Sequence, residues 1–247
     1  MNRVNWLILS SLFLSLSMSS CFIDFDDDDG GPFGCLDGDG PLVTDELFLN
    51  DFEGIDLELP ATVIIQQGPQ QQVIVEGKQN IIDELDLDVR NGIWEIEVND
   101  CVTDLGHMTF TITLPLIREL SISGSGQIIA PDFLNVDDIE LNIAGSGDMD
   151  LGLNADDIDA DIAGSGQIRV EGIADDLDFA VSGSGDYKGF DMECNTAFIR
   201  ISGSGDADVN VADQLRVRIS GSGDVRFKGN PSLDISISGS GEVIDAN

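Results

Sequence analysis

Ala180-Val181-Ser182-Gly183-Ser184-Gly185-Asp186-Tyr187 and, twenty residues on, Arg200-Ile201-Ser202-Gly203-Ser204-Gly205-Asp206-Ala207 carry one motif in matching surroundings. Gly-Ser-Gly begins at Gly124, Gly145, Gly164, Gly183, Gly203, Gly221 and Gly239, at spacings of 21, 19, 19, 20, 18 and 18 residues. Self-similarity at such a period marks a chain built by stacking one supersecondary unit on the next.

Aligned on the first glycine, the column two residues earlier reads Ile122, Ile143, Ile162, Val181, Ile201, Ile219, Ile237. Four before it the column is Leu120, Leu141, Ala160, Phe179, Ile199, Val217, Ile235, and four after it Ile128, Met149, Ile168, Tyr187, Ala207, Val225, Val243. Apolar positions thus alternate with variable ones on both sides of the glycines, which is the period of strands with one buried face. A helix needs apolar spacings of three and four, and two interior glycines would cost it about 2 kcal/mol relative to alanine. The reading is an all-β parallel solenoid of 18 to 21 residues per coil, with Gly-Ser-Gly where backbone bends or approaches closely.

One coil cannot bury enough apolar surface to fold alone, so neighbours must complete it, and the ends of the stack need caps. From 42 to 115 the marker is missing but strand patterns persist, at 55–59, 62–66, 72–76, 93–98 and 109–114, with turn signals at Gly68-Pro69 and Asn91-Gly92. This region reads as irregular coils of the same solenoid or as a small capping sheet, and 116–247 as the Gly-Ser-Gly repeats.

With 42% hydrophobic residues in 247 the chain can bury a core, and with 47 acidic against 11 basic residues it carries a formal charge of -36. That charge excludes nucleic acid, whose phosphates must be met by Lys and Arg. Residues 1–20 combine Arg3 with a short apolar stretch ending in Ser19-Ser20, a secretory signal too short for a confident membrane span. Leu16-Ser17-Met18-Ser19-Ser20-Cys21 resembles a bacterial lipobox, with Met18 where Leu is usual, and implies acylation of Cys21 and a membrane anchor. Residues 21–41, rich in Asp and Gly, read as a solvated tether. An acidic cluster just behind the lipid-bearing cysteine also resembles the surface-export signal of Bacteroidetes lipoproteins, which implies an outer-membrane lipoprotein facing outward; the alternative is a periplasm-facing one.

Cys35, Cys101 and Cys194 remain, enough for one internal disulfide whose partners the sequence leaves open. After each Gly-Ser-Gly stands Gln127, Asp148, Gln167, Asp186, Asp206, Asp224 or Glu242. Stacked carboxylates repel by roughly 0.9 kcal/mol per pair even in water, which makes Asp148, Asp186, Asp206, Asp224 and Glu242 calcium candidates. One column per coil supplies too few ligands, so the expectation is a solvated ladder with no metal and no cofactor. The central serines, from Ser125 to Ser240, have only His107 in the chain as a base and read as structural hydroxyl ladders. The cations Lys188, Arg200, Arg216, Arg218, Arg226 and Lys228 could serve a polysaccharide-processing enzyme on a β-helix, but no insertion in the repeats is long enough to build a cleft.

Phe52-Glu53-Gly54-Ile55, Val63-Ile64-Ile65-Gln66-Gln67-Gly68, Val73-Ile74-Val75-Glu76-Gly77, Leu114-Pro115 and the Ser-Gly-Ser-Gly run together resemble the auto-transporter adhesin head domain family, also called the GIN domain. The resemblance covers Phe52 to the C-terminus and implies a right-handed β-helix-like fold with an adhesive or structural role at the cell surface. The expectation is a non-enzymatic envelope lipoprotein whose solenoid binds a glycan, matrix or protein ligand. A carbohydrate-active β-helix enzyme and a purely structural envelope protein are the alternatives.

Overall fold

The computed structural model describes residues 35–247. The expected signal segment, the expected acylation site Cys21 and residues 22–34, read from sequence as part of a tether, lie outside the described residues. The chain is a parallel β-solenoid of about seven turns. Each turn runs through one strand before the Gly-Ser-Gly corner and one after it. In the sheet before the corner, sheet A, Leu141, Ala160, Phe179, Ile199, Val217 and Ile235 pair in parallel register, coil on coil. In the sheet after it, sheet B, Met149, Ile168, Tyr187, Ala207, Val225 and Val243 do the same. Residues 153–155, 172–174 and 192–194 form a short third face, so strands such as Asp148–Gly164 and Gln167–Gly183 bend round corners without losing their pairing.

The repeated columns are the core. Ile143, Ile162, Val181, Ile201 and Ile219 are each 2% exposed, and Leu141, Ala160, Ile199 and Val217 are fully buried. Phe179 and Tyr187 fill the middle of the stack with ring centroids 4.9 Å apart.

The two glycines of each motif answer different demands. Gly203 has φ 141°, a conformation side-chain-bearing residues rarely adopt. Gly205 has no such backbone, but a Cβ there would run into the carbonyl oxygen of Gly185 in the preceding coil. Ser204 between them donates its backbone N–H to Gly183 O at 2.8 Å, a bond that recurs from Ser146 to Ser240. The expected hydroxyl ladder is therefore a backbone ladder: no hydroxyl-to-hydroxyl bond joins the central serines among the described residues, because the corner closes through main chain.

The 42–115 region supplies both alternatives read from its sequence. Gly54–Leu57 extends sheet A between Glu119–Ile122 and Ile93–Ile96, and Thr62–Gln67 extends sheet B between Gln127–Asn135 and Thr109–Leu114, all parallel. Beyond these coils Gln72–Lys78 and Leu42–Leu47 add antiparallel strands to sheet B, and Val89–Arg90 adds one to sheet A. The one-turn helix Gln79–Ile82 contributes Ile81 and Ile82 to the core. Trp94, fully buried, packs against Phe52 and edge-on against Phe110, and its Nε1 donates to Asp86 O at 2.9 Å. This end of the solenoid is capped.

Cys35 and Cys101 form the disulfide, and Leu36–Asp37 pairs with Val102–Asp104, so the last residues of the 21–41 stretch are held at the cap. Cys194 is buried and free, its thiol pushed up to about 12 by burial and then by Asp176 and Glu193.

At the other end the pattern breaks. In the last strand of sheet A among the described residues, Ser232–Gly239, the inward-facing Leu233, Ile235 and Ile237 are 48%, 41% and 41% exposed, with no described coil stacked on their outer side.

Candidate functional site

Three of the five carboxylates after the Gly-Ser-Gly corner bond to main chain. Asp186 Oδ1 accepts from Asp206 N at 3.0 Å, Asp206 Oδ1 from Asp224 N at 2.8 Å, and Asp224 Oδ1 from Glu242 N at 2.8 Å. Each carboxylate thus ties its coil to the next. Asp148 stands apart from this run, between Gln127 and Gln167 in the register. Among the described residues no group of three His, Cys, Asp or Glu side chains is arranged to hold a metal ion.

Uncompensated repulsion sits at a different corner, where the third face meets sheet A. Asp138, Asp157 and Asp176 stack in register, flanked by Asp156 and Asp175. Desolvation and then the neighbouring carboxylates raise the Asp157 carboxyl above its ordinary value. The same causes raise Asp159, with Asp161 and Asp178 as neighbours, and Glu58, with Glu97, Asp56 and Glu95. A carboxyl raised in the folded state binds its proton more tightly folded than unfolded. Stability therefore grows as pH falls through the raised values, and the gain is complete below the ordinary ones. Asp234 is lowered by its Arg218 hydrogen bond, so its stabilisation is lost only on going below the ordinary carboxylate range. We expect the melting temperature to rise as the pH falls from neutrality toward the ordinary carboxylate range, and Asp157→Asn to raise it at neutral pH. Calorimetry across that range checks both; a melting temperature that falls steadily on acidification would contradict the repulsive stack.

A groove of about 610 Å³ lies on the outward side of sheet A, crossing its strands from Asp161 to Ser236. Its floor is low because the outward positions next to the corner hold small side chains. Ala163, Ser182, Ser202 and Ser220 pair in register one residue before the first glycine, with Ala180 two positions earlier in its strand.

Arg200 and Arg218, paired in register, lie in the groove, while Phe198 and Arg216 occupy the next outward column. Phe198 takes the Arg200 and Arg216 guanidinium groups over its ring at 4.7 and 5.4 Å. Asp178 holds Arg200 at 2.8 Å, and Asp234 holds Arg218 at 2.8 Å and Arg216 at 3.3 Å. These half-exposed ion pairs contribute little to stability, but they fix planar donors and acceptors beside an apolar floor.

Catalytic pairings do not form on this floor. Ser182, Ser202 and Ser220 have no histidine beside them, and His107 lies at the capped end, 3.2 Å from Thr109 Oγ1 and 3.7 Å from Glu76. Of the six late cations, Arg200, Arg216 and Arg218 gather at the groove. Lys188 and Arg226 reach Asp208 on sheet B, and Lys228 covers the Phe190 ring at 4.5 Å. Tyr187, whose hydroxyl has no partner, is fully buried in the core and its pKa is raised by burial.

The groove is what sequence reading missed, although its signal is present. The column one before the first glycine reads Ser123, Ala144, Ala163, Ser182, Ser202, Ser220, Ser238 and is small throughout. Alternation marks such positions as outward and variable. Only register shows that six of these small outward residues, from Ala144 to Ser238, are neighbours.

A family profile described as "Putative auto-transporter adhesin, head GIN domain" matches residues 51–231. No curated protein matches the chain. Among solved structures, one from Bacteroides fragilis described as a "putative adhesin" is 21% identical with a TM-score of 0.80, and the match covers 84% of this chain and 98% of that one. A "putative lipid binding protein" from Parabacteroides distasonis is 24% identical with a TM-score of 0.68, covering 85% and 99%. A "putative adhesin" from Parabacteroides merdae is 20% identical with a TM-score of 0.69, also covering 85% and 99%. At these identities the likeness is one of fold.

Proposed function

Because the chain belongs to the auto-transporter adhesin head GIN domain family, we propose that it is a non-enzymatic binding head of the cell envelope. Its binding surface is the sheet A groove, the observation that carries the reading. A shallow trough with an apolar, small-residue floor and fixed guanidinium, carboxylate and phenyl groups at one side suits an extended polymer. A glycan strand is the first candidate, since sugars offer both an apolar face and hydroxyls for planar charged partners; matrix or protein segments are the others. Anchoring through an acylated Cys21 at the outer membrane, with the solenoid facing outward, places such a surface where a partner is met.

The test is to present glycan and matrix-component arrays to the purified protein with and without chelator, and to assay the supernatant for released sugars. We expect binding without bond cleavage and without dependence on calcium. Released sugars would overturn the non-enzymatic reading, and loss of binding in chelator would return the carboxylates after the corner to the role of cation ligands. No binding on any surface would favour a structural envelope protein.

A further inference from the structure

Among the described residues the solenoid is capped at one end and leaves a free sheet edge at the other. Among the described residues, Ser232–Gly239 closes sheet A with all eight of its residues exposed. Its inward face presents Leu233, Ile235 and Ile237 at 41% to 48% exposure, where the equivalent positions in the coil before it are 2% or less.

The backbone is equally open. Glu140 N donates to Arg118 O in the preceding coil, and Ser240 N repeats this to Gly221 O. In a parallel sheet alternate residues bond to opposite neighbours. With that phase Asp234 and Ser236 bond backward, and the N–H and C=O groups of Leu233, Ile235 and Ile237 point outward at the free edge. Long exposed edges of this kind template further pairing unless charge or a cap prevents it. The antiparallel strand at the capped end carries Asp45 and Glu46; this one carries a single charge, Asp234.

Charge selects the occupant. The chain is at -36 overall, which opposes self-association almost anywhere on its surface. Residues 214–247 are the exception. Their acidic side chains, Asp224, Asp234, Glu242 and Asp245, are balanced by Arg216, Arg218, Arg226 and Lys228, so the whole excess lies in residues 1–213. Two copies can meet at this end without the repulsion that keeps them apart elsewhere.

Side-chain facing then fixes the register. Inward residues must meet inward residues, and Ile235 on a two-fold axis places Leu233 opposite Ile237, pairing all three exposed apolar residues. It also sets Asp234 opposite Ser236, so no like charges face each other. With Ile235 at the centre, the backbone groups that pair are the ones the edge leaves free.

We propose that two copies of this chain associate C-terminal end to C-terminal end by antiparallel pairing of their Ser232–Gly239 strands about Ile235, continuing sheet A across a two-fold axis. The contact is small by the standard of permanent dimers, so it forms and dissolves with concentration.

Sedimentation velocity of the purified protein over a concentration series should show a monomer–dimer equilibrium, and Ile235→Lys should weaken it by at least about tenfold while the dilute monomer stays folded, its melting temperature lowered by only a few degrees. Facing α-carbons of a hydrogen-bonded antiparallel pair stand about 5.5 Å apart, within disulfide reach. Ile235→Cys should therefore yield a covalent dimer on mild oxidation, whereas Ser240→Cys should not. A protein that stays monomeric at every concentration and leaves Ile235→Cys uncrosslinked overturns the proposal. So does a dimer that Ile235→Lys does not weaken, which would place the interface elsewhere.

Discussion

Gly203→Ala should unfold or nearly unfold the protein. At φ 141° an alanine is strained by about 1–3 kcal/mol. Its Cβ would also be driven into the Gly183 carbonyl, which already accepts the Ser204 N–H. Backbone cannot swing aside as a side chain can, so relief requires the coils to part, at a further cost of about 1–3 kcal/mol. A combined loss on the order of 4 kcal/mol is a large part of the roughly 5–15 kcal/mol that holds a folded domain. Ser204→Ala, one residue on, changes an exposed residue and should alter stability by less than about 0.5 kcal/mol. Urea unfolding of the two variants side by side gives the comparison; equal stabilities would mean that the corner glycines are not required by geometry.

Phe179→Ala should cost nearly as much. The ring is fully buried between Ala160 and Ile199 of the adjoining coils and packs against Tyr187 at 4.9 Å. Removing it leaves a cavity that two backbone ladders hold open, for a loss of about 3–5 kcal/mol. Ile235 occupies the same column in the last coil but has solvent on one side, so Ile235→Ala in dilute protein should cost only about 1 kcal/mol. One column therefore serves as its own control: if Phe179→Ala and Ile235→Ala cost the same, the columns are not a packed interior.

Much of this molecule was legible in its sequence because a solenoid repeats its instructions. Seven β-branched residues two before the glycine, from Ile122 to Ile237, identify strands, facing and coil length at once. The ends are less legible, since a residue's burial there depends on whether a coil follows, and the sequence writes Leu233, Ile235 and Ile237 as it writes their buried equivalents. The cap was read only as two alternatives because its coils stack out of chain order: Ile93–Ile96 lies outside Gly54–Leu57, and the chain then returns to the inner side at Glu119–Ile122. The carboxylates after the corner stand out in the sequence as a repulsive column, yet Asp186, Asp206 and Asp224 accept backbone N–H groups, and a stack that no cation faces lies at Asp138, Asp157 and Asp176, whose stacking only the register reveals. The groove follows the same logic. It is a property of residues twenty apart, built from side chains too small to be noticed singly.

Binding to the array by the natural protein and by Ser202→Trp decides whether the sheet A groove holds the ligand. Ser202 is exposed on the groove floor, between Ser182 and Ser220, so an indole there fills the trough without entering the core. The expected result is a ligand bound by the natural protein and weakened at least about tenfold in the variant, with an unchanged melting temperature. A ligand that binds both proteins equally would contradict the claim that the sheet A groove is the binding surface.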